Sequence, residues 1–127
     1  MKLNHALMDN NFTKSDMDSV VKLIKQKNIT LTQSKKVNEF EKKWSDWVGT
    51  KYSIFVNSGS SANFITISAL KILNKNQNKK EIIVPSLTWV SDINSVIMNG
   101  FKPVFVDINL SNLSMNVDEV IKKISKK

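Results

Sequence analysis

Apolar residues recur at helical spacing in two segments near the start of the chain. The first segment covers residues 17–24 and follows Thr13 and Ser15, either of which can cap a helix. The second covers residues 37–48, and Gly49 provides the residue type that ends a helix in the left-handed conformation. This pattern predicts two amphipathic helices joined by an extended connector.

From residue 51 onward the pattern changes to short apolar strands that alternate with helices. The predicted strands cover residues 52–56, 81–84 and 103–107, and the predicted helices cover residues 60–73, 89–98 and 117–124, with a polar surface loop at residues 74–80. Short apolar strands separated by helices are typical of a parallel sheet covered on both faces. Since three strands do not complete such a sheet, we expect the first part of a larger α/β domain.

Charge and composition limit the classes of function. Cysteine is absent, so no disulfide, thiolate metal site or cysteine nucleophile is expected, and we predict no metal site. The net charge of +8 comes from lysine without any arginine, the residue that dominates base readout, so we expect no nucleic-acid partner. No apolar run reaches the length of a leader or a membrane span, which predicts a soluble, cytoplasmic protein.

Residues 56–63, with the sequence VNSGSSAN, link a predicted strand to a predicted helix through a glycine turn. The first N–H groups of a helix lack carbonyl partners and carry partial positive charge, so such a turn can bind an anion. Gly59 allows close approach of the backbone, and Ser60 and Ser61 offer hydroxyl groups. The alternative is an ordinary capped helix.

Two further candidates follow the other predicted strands. Ligands of open parallel sheets gather beyond the carboxyl ends of the strands, where residues 86–89 and Asp107 lie. Trp89 can stack on a planar ring while the glycine turn holds a phosphate on that ring. The glycine turn and Trp89 together suit a planar phosphorylated ring.

Four segments resemble the DegT/DnrJ/StrS family of pyridoxal 5′-phosphate (PLP)-dependent enzymes, which act on nucleotide-linked keto-sugars. They are LTQSKKV at residues 31–37, VNSGSSAN at 56–63, IVPSLTW at 83–89 and GFKPVFVD at 100–107. The resemblance runs from about residue 31 to residue 116. It implies the aspartate-aminotransferase type of fold, PLP fold type I, and a homodimer with the active site at the subunit interface.

The resemblance also implies roles for individual residues. Gly59, Ser60 and Ser61 would receive the phosphate of PLP, and Trp89 would stack on its pyridine ring. The alternative for Trp89 is a position in the core.

The remaining candidates are given structural roles. Trp44 and Trp47 are predicted to lie in the core. Asp107 is interpreted as a turn or cap residue. Asp92 is interpreted as a solvated helix carboxylate, and the alternative is a position near the mouth of the site.

The lysine that bonds to PLP in this family lies beyond the matched region, and no lysine of this chain has its sequence context. We therefore assign no catalytic residue and expect an inactive N-terminal fragment of an enzyme. Residues 1–34 would form a helical arm and connector, and residues 35–127 the first part of the PLP-binding large domain. Ser34 stands where relatives usually have glycine.

The resemblance leaves the reaction open. Most of the family transfer an amino group from a donor such as glutamate to a nucleotide-linked keto-sugar, in the synthesis of cell-surface polysaccharide or lipopolysaccharide sugars. A minority are 3-dehydratases, which residues 57–63 also resemble. Aminotransferase is our first hypothesis and dehydratase the second, while a non-catalytic interaction module is the alternative from another class.

Overall fold

A computed structural model describes residues 10–74 and 79–124. Within these ranges the elements are α1 (Lys14–Ile24), α2 (Lys35–Val48), α3 (Gly59–Leu73), β1 (Glu81–Pro85), α4 (Val90–Met98), β2 (Lys102–Val106) and α5 (Val117–Lys123). The chain divides into two compact units, one that ends at Phe55 and one that begins at Val56. The domain boundary at residues 34 and 35 stays a prediction.

In the first unit, α1 begins at a predicted N-cap residue and α2 ends at the predicted C-cap residue. Thr13 precedes α1 and forms a capping box with Asp16, in which each side chain bonds the backbone N–H of the other residue. The hydrogen bonds from Thr13 hold the pKa of Asp16 below its ordinary value. α2 ends at Gly49, whose φ of 80° lies in the left-handed region that favours glycine.

The prediction that Trp44 and Trp47 lie in the core is wrong. Their rings contact each other at 5.1 Å, and the Trp44 ring stacks on Phe40 at 5.9 Å. Trp44 is nevertheless 46% exposed and Trp47 is 77% exposed. The aromatic rings contact one another along one face of α2, where Phe55 packs edge-on against Phe40, and they stay partly exposed to solvent.

The predicted strand at residues 52–56 is not formed. A strand exists through its hydrogen-bonded neighbour, and in the described part of the chain β1 and β2 pair only with each other. The backbone N–H of Phe55 instead donates to Glu41 Oε1 at 2.8 Å. The apolar pattern of this segment is therefore not accompanied by a sheet.

The second unit is built on a parallel pair of strands connected by a helix. β1 pairs with β2 in a register that sets Glu81 opposite Lys102, and α4 connects the two strands. Its buried apolar residues are Val84, Val96 and Val106. The predicted parallel α/β arrangement is confirmed, as are the strands at residues 81–84 and 103–107 and the three helices of this unit, each to within one residue or two.

Two further sequence predictions concern the loop at residues 74–80 and membrane-spanning helices. Residues 75–78 of the predicted loop at 74–80 lie outside the described residues. Among the helices that are described, none is long and apolar enough to cross a membrane.

Candidate functional site

Ser58 caps α3 and organises the turn in front of it. Its side-chain oxygen accepts from the backbone N–H of Ser61 at 3.1 Å, and its carbonyl accepts from the N–H of Ala62 at 3.1 Å. The Ser61 hydroxyl donates to Asn57 Oδ1 at 2.7 Å. The Ser61 hydroxyl oxygen also accepts from the Ser58 hydroxyl at 3.1 Å. The backbone N–H, the hydroxyl proton and the hydroxyl oxygen of Ser61 therefore all take part in hydrogen bonds within the turn.

The N–H groups of the first two residues of α3 can donate to a ligand. Gly59 and Ser60 find no backbone acceptor among the described residues, and both are exposed. A Cβ atom added at Gly59 would meet nothing within 4 Å, so the space above this residue is open. Free donors, the positive end of the helix dipole and open space are what a phosphate group needs.

An open groove of about 430 Å³ runs from this turn between α3 and α4. Ser60 and Ser61 line one end of it. The other lining residues are Phe64, Ile65, Val90, Ser91, Asn94, Ser95 and Met98. The predicted phosphate turn thus shares a groove with the first turn of α4.

Trp89 is the N-cap residue of α4 and directly precedes Val90, which lines the groove. Its side chain is 73% exposed, so the alternative position in the core is wrong. The indole stands beyond the carboxyl end of β1, on the side of the sheet where ligands of such folds bind.

Asp92 is not the solvated carboxylate that the sequence suggested. It is half-buried, and Oδ1 accepts from Asn63 Nδ2 of α3 at 2.5 Å. Oδ2 accepts from the hydroxyl of Thr88. The prediction is wrong because an asparagine from another helix reaches the carboxylate, which helical periodicity within α4 does not reveal.

Asn63 is the residue of this region that sequence reasoning missed. It ends the VNSGSSAN segment and lies four residues after Gly59, about one helical turn further into α3. That spacing places Asn63 on the same side of the helix as Gly59. The spacing is the sequence signal that could have identified Asn63.

Asp107 has the structural role that was predicted. Its Oδ1 accepts from Ser86 Oγ at 3.2 Å and from the N–H of Ile108 at 2.8 Å. Its carbonyl accepts from the N–H of Asn116 at 2.8 Å. Asp107 therefore ties the loop after β2 to the loop after β1.

Residues 10–127 match the family described as the DegT/DnrJ/EryC1/StrS aminotransferase family. The match covers nearly the whole chain and includes both candidate loops. The chain belongs to this family.

Curated relatives include both enzyme types of the family. The chain is 29% identical to GDP-4-keto-6-deoxy-D-mannose 3-dehydratase of Yersinia pseudotuberculosis, over 98% of this chain and 32% of the relative. It is 33% identical to UDP-4-amino-4,6-dideoxy-N-acetyl-beta-L-altrosamine transaminase of Campylobacter jejuni, over 86% of this chain and 26% of the relative. The chain therefore spans about a third of the length of these curated relatives or less.

A solved structure shows the same fold. The Escherichia coli GDP-4-keto-6-deoxy-D-mannose-3-dehydratase, with bound hydrated PLP, superposes with a TM-score of 0.82 at 26% identity, over 99% of this chain and 32% of that one. The predicted fold class, part of a PLP fold type I large domain, is confirmed.

Proposed function

We propose that this chain carries the phosphate-binding and ring-stacking part of a PLP site, in an enzyme that acts on nucleotide-linked keto-sugars. One observation supports this most directly: two N–H groups at the start of α3 have no backbone acceptor among the described residues, and Ser60 there lines a groove that also borders the helix capped by Trp89. The family membership of the chain supplies the identity of the ligand.

The phosphate end of PLP fits the residues at the start of α3. The N–H groups of Gly59 and Ser60 donate to phosphate oxygens, and the helix dipole favours the negative charge. The Ser60 hydroxyl is a further donor, whereas the Ser61 hydroxyl is already donated to Asn57. Because the space above Gly59 is open, a phosphate can approach the backbone closely.

The ring end of PLP fits the exposed indole of Trp89. Stacking between aromatic rings contributes about 1 kcal/mol beyond burial, and it also fixes the plane of the ring. The bound cofactor supplies an electron sink for the chemistry at the sugar carbon. The residues of this chain hold and orient the cofactor, and we assign none of them to the chemical step.

For the reaction, we infer a sugar aminotransferase that works as a homodimer in the cytoplasm, with an amino donor such as glutamate, in the synthesis of surface-polysaccharide sugars. The transaminase among the relatives supports this class. A 3-dehydratase is the second candidate, supported by the 29% identity that extends over 98% of the chain. Mass spectrometry of the sugar product separates them, since a transaminase adds an amino group and a dehydratase removes a hydroxyl.

Binding of a PLP analogue tests the site in this chain. Pyridoxine 5′-phosphate has the ring and the phosphate but no aldehyde, so it cannot bond to the 19 lysines. Gly59→Pro removes one N–H at the first helical position, where proline is well tolerated, and the extended φ of −161° at Ser58 suits a following proline. Gly59→Ala keeps the N–H and is the matched control.

We expect Gly59→Pro to bind pyridoxine 5′-phosphate about tenfold more weakly, because a hydrogen bond to a charged group contributes about 1.5–3 kcal/mol. Affinity for pyridoxine should not change, and circular dichroism should show α3 intact. Gly59→Ala should bind more tightly than Gly59→Pro, since its added methyl group meets only open space. Equal phosphate affinity in the proline and alanine variants would contradict the proposed cradle.

A further inference from the structure

Asp92 connects the two halves of the proposed cofactor site. We infer that Asp92 is a positioning residue: it fixes the distance between the phosphate donors at the start of α3 and the indole of Trp89. This inference rests on the proposed function and adds a residue to which we had given no role in it. Two contacts of the Asp92 side chain and one of its backbone support it.

The first contact reaches α3. Asn63 Nδ2 donates to Asp92 Oδ1 at 2.5 Å. The same Nδ2 atom also donates to the Ser91 hydroxyl oxygen at 3.4 Å. Asn63 is one turn from Gly59 on a continuous helix, so its position is rigidly linked to that of the phosphate donors. Asp92 is thereby fixed relative to the start of α3.

The other two contacts are made with Thr88 and with Trp89. Asp92 Oδ2 accepts from the hydroxyl of Thr88, which directly precedes Trp89. The backbone N–H of Asp92 donates to the carbonyl of Trp89 at 3.0 Å. Asp92 therefore contacts the side chain of the residue before Trp89 and the carbonyl of Trp89 itself, and this restricts the position of the indole.

A carboxylate suits this position because it offers two acceptors in one plane. One oxygen serves the amide from α3 and the other serves the hydroxyl of the loop. Hydrogen bonds to an ionised group are shorter and stronger than neutral ones. The negative charge also lies in the first turn of α4, where the helix dipole favours it.

A second hydrogen-bonded bridge between the same helices provides a matched control. Near the other end of α4, the Ser68 hydroxyl of α3 donates to Asn99 Oδ1 at 2.7 Å. This bridge also joins α3 to the α4 segment, but it is remote from Gly59 and Trp89 in sequence. A change there alters helix packing without touching the proposed positioning contacts.

The test uses three probes, because positioning matters only to a ligand that occupies both halves of the site. Inorganic phosphate tests the cradle alone, pyridoxine tests the ring site alone, and pyridoxine 5′-phosphate needs both at the correct separation. Affinities are measured by equilibrium dialysis on the 127-residue chain, and folding is followed by circular dichroism.

For Asp92→Ala we expect about tenfold weaker binding of pyridoxine 5′-phosphate and less than twofold change for phosphate and for pyridoxine. Asp92→Asn should restore binding to within about threefold, since its amide can donate to the Thr88 hydroxyl while its oxygen accepts from Asn63. Ser68→Ala should leave all three affinities within twofold. Equal pyridoxine 5′-phosphate affinity in Asp92→Ala and the unaltered chain overturns the inference, and so does an equal loss for all three probes.

If Asp92→Ala does not fold, a charge swap between Asn63 and Asp92 tests the positioning role of Asp92. Asn63→Asp sets two carboxylates against each other and should weaken binding of pyridoxine 5′-phosphate about tenfold. The double variant N63D/D92N keeps the net charge of the unaltered chain and restores a donor–acceptor pair, so binding should return to within about threefold. Failure of the double variant to recover overturns the inference. Absence of any preference for pyridoxine 5′-phosphate over pyridoxine in the unaltered chain would instead reject the proposed function, and the inference with it.

Discussion

Two hydrogen-bonded bridges join α3 to the α4 segment, and they differ in charge and in burial. The bridge near the helix starts pairs Asn63 with Asp92, which carries a charge and is half-buried. The bridge near the helix ends pairs Ser68 with Asn99, which is neutral and only 6% exposed. The same two helices are thus held by an ionised group on a half-buried residue and by a neutral amide on a buried one.

This difference follows the cost of burying charge. A buried ion loses its hydration and must regain it from hydrogen bonds, whereas a buried amide needs only one partner for each polar atom. Asn99 satisfies its amide by donating to the carbonyls of Ser95 at 2.8 Å and Phe64 at 3.4 Å. The far bridge, Ser68–Asn99, therefore stabilises helix packing. The near bridge, Asn63–Asp92, can carry a charge beside the site because it is only half-buried.

Placing a charge in the far bridge should have the largest effect. In Asn99→Asp, an oxygen replaces the amide that donates to the two carbonyls, and a charge is introduced in a buried position. We expect the free energy of unfolding in urea at pH 7 to fall by about 3–5 kcal/mol.

The same variant has a definite pH dependence. Burial raises the pKa of the introduced carboxyl above its unfolded value of about 4. The part of the destabilisation that comes from the charge should therefore be nearly absent below pH 4 and grow as the pH rises above that value, while the loss of one amide donor persists at every pH. A loss under 1 kcal/mol at pH 7 would show that solvent reaches the far bridge after all.

Removing one neutral hydrogen bond from the far bridge should have an intermediate effect. Ser68→Ala deletes the hydroxyl that donates to Asn99 Oδ1, and a neutral hydrogen bond contributes about 1 kcal/mol to stability. We expect a loss of that size in urea denaturation, independent of pH between 5 and 8. A strong pH dependence would mean that an ionised group takes part.

Removing the charge from the near bridge should have the smallest effect. Asp92→Asn keeps the shape of the side chain and a partner for both Asn63 and Thr88. We expect the free energy of unfolding to change by less than about 0.5 kcal/mol, with a slight loss from the helix dipole. A loss above about 2 kcal/mol would mean that the charge of Asp92 matters for stability as much as the far bridge does.

The elements that could be predicted from the sequence are those fixed by local chemistry. Thr13 and Gly49 mark helix ends through interactions within four residues. The parallel strands were recognisable because short apolar runs alternated with helices. The structural role of Asp107 also followed from the habits of aspartate in turns.

The errors concern interactions that local patterns do not contain. Residues 52–56 have the composition of a strand but no strand partner among the described residues, and composition alone cannot supply one. Trp47 lies on an apolar helix face, yet burial depends on what packs over that face. Asp92 was misread because Asn63 is 29 residues away in sequence. The binding roles of Gly59, Ser60, Ser61 and Trp89 stay predictions.

The parallel strand pair also bears on how the chain folds. Glu81 and Lys102, which face each other across β1 and β2, are 21 residues apart, and the register keeps this separation constant along the pair. Closing a loop of this length costs little more entropy than closing a shorter one, and a single connection containing α4 closes it. Contacts between residues closer in sequence form more readily, and the bridges from α3 to the α4 segment join residues 29 and 31 apart. We therefore expect the β1–α4–β2 unit to form before α3 docks on it.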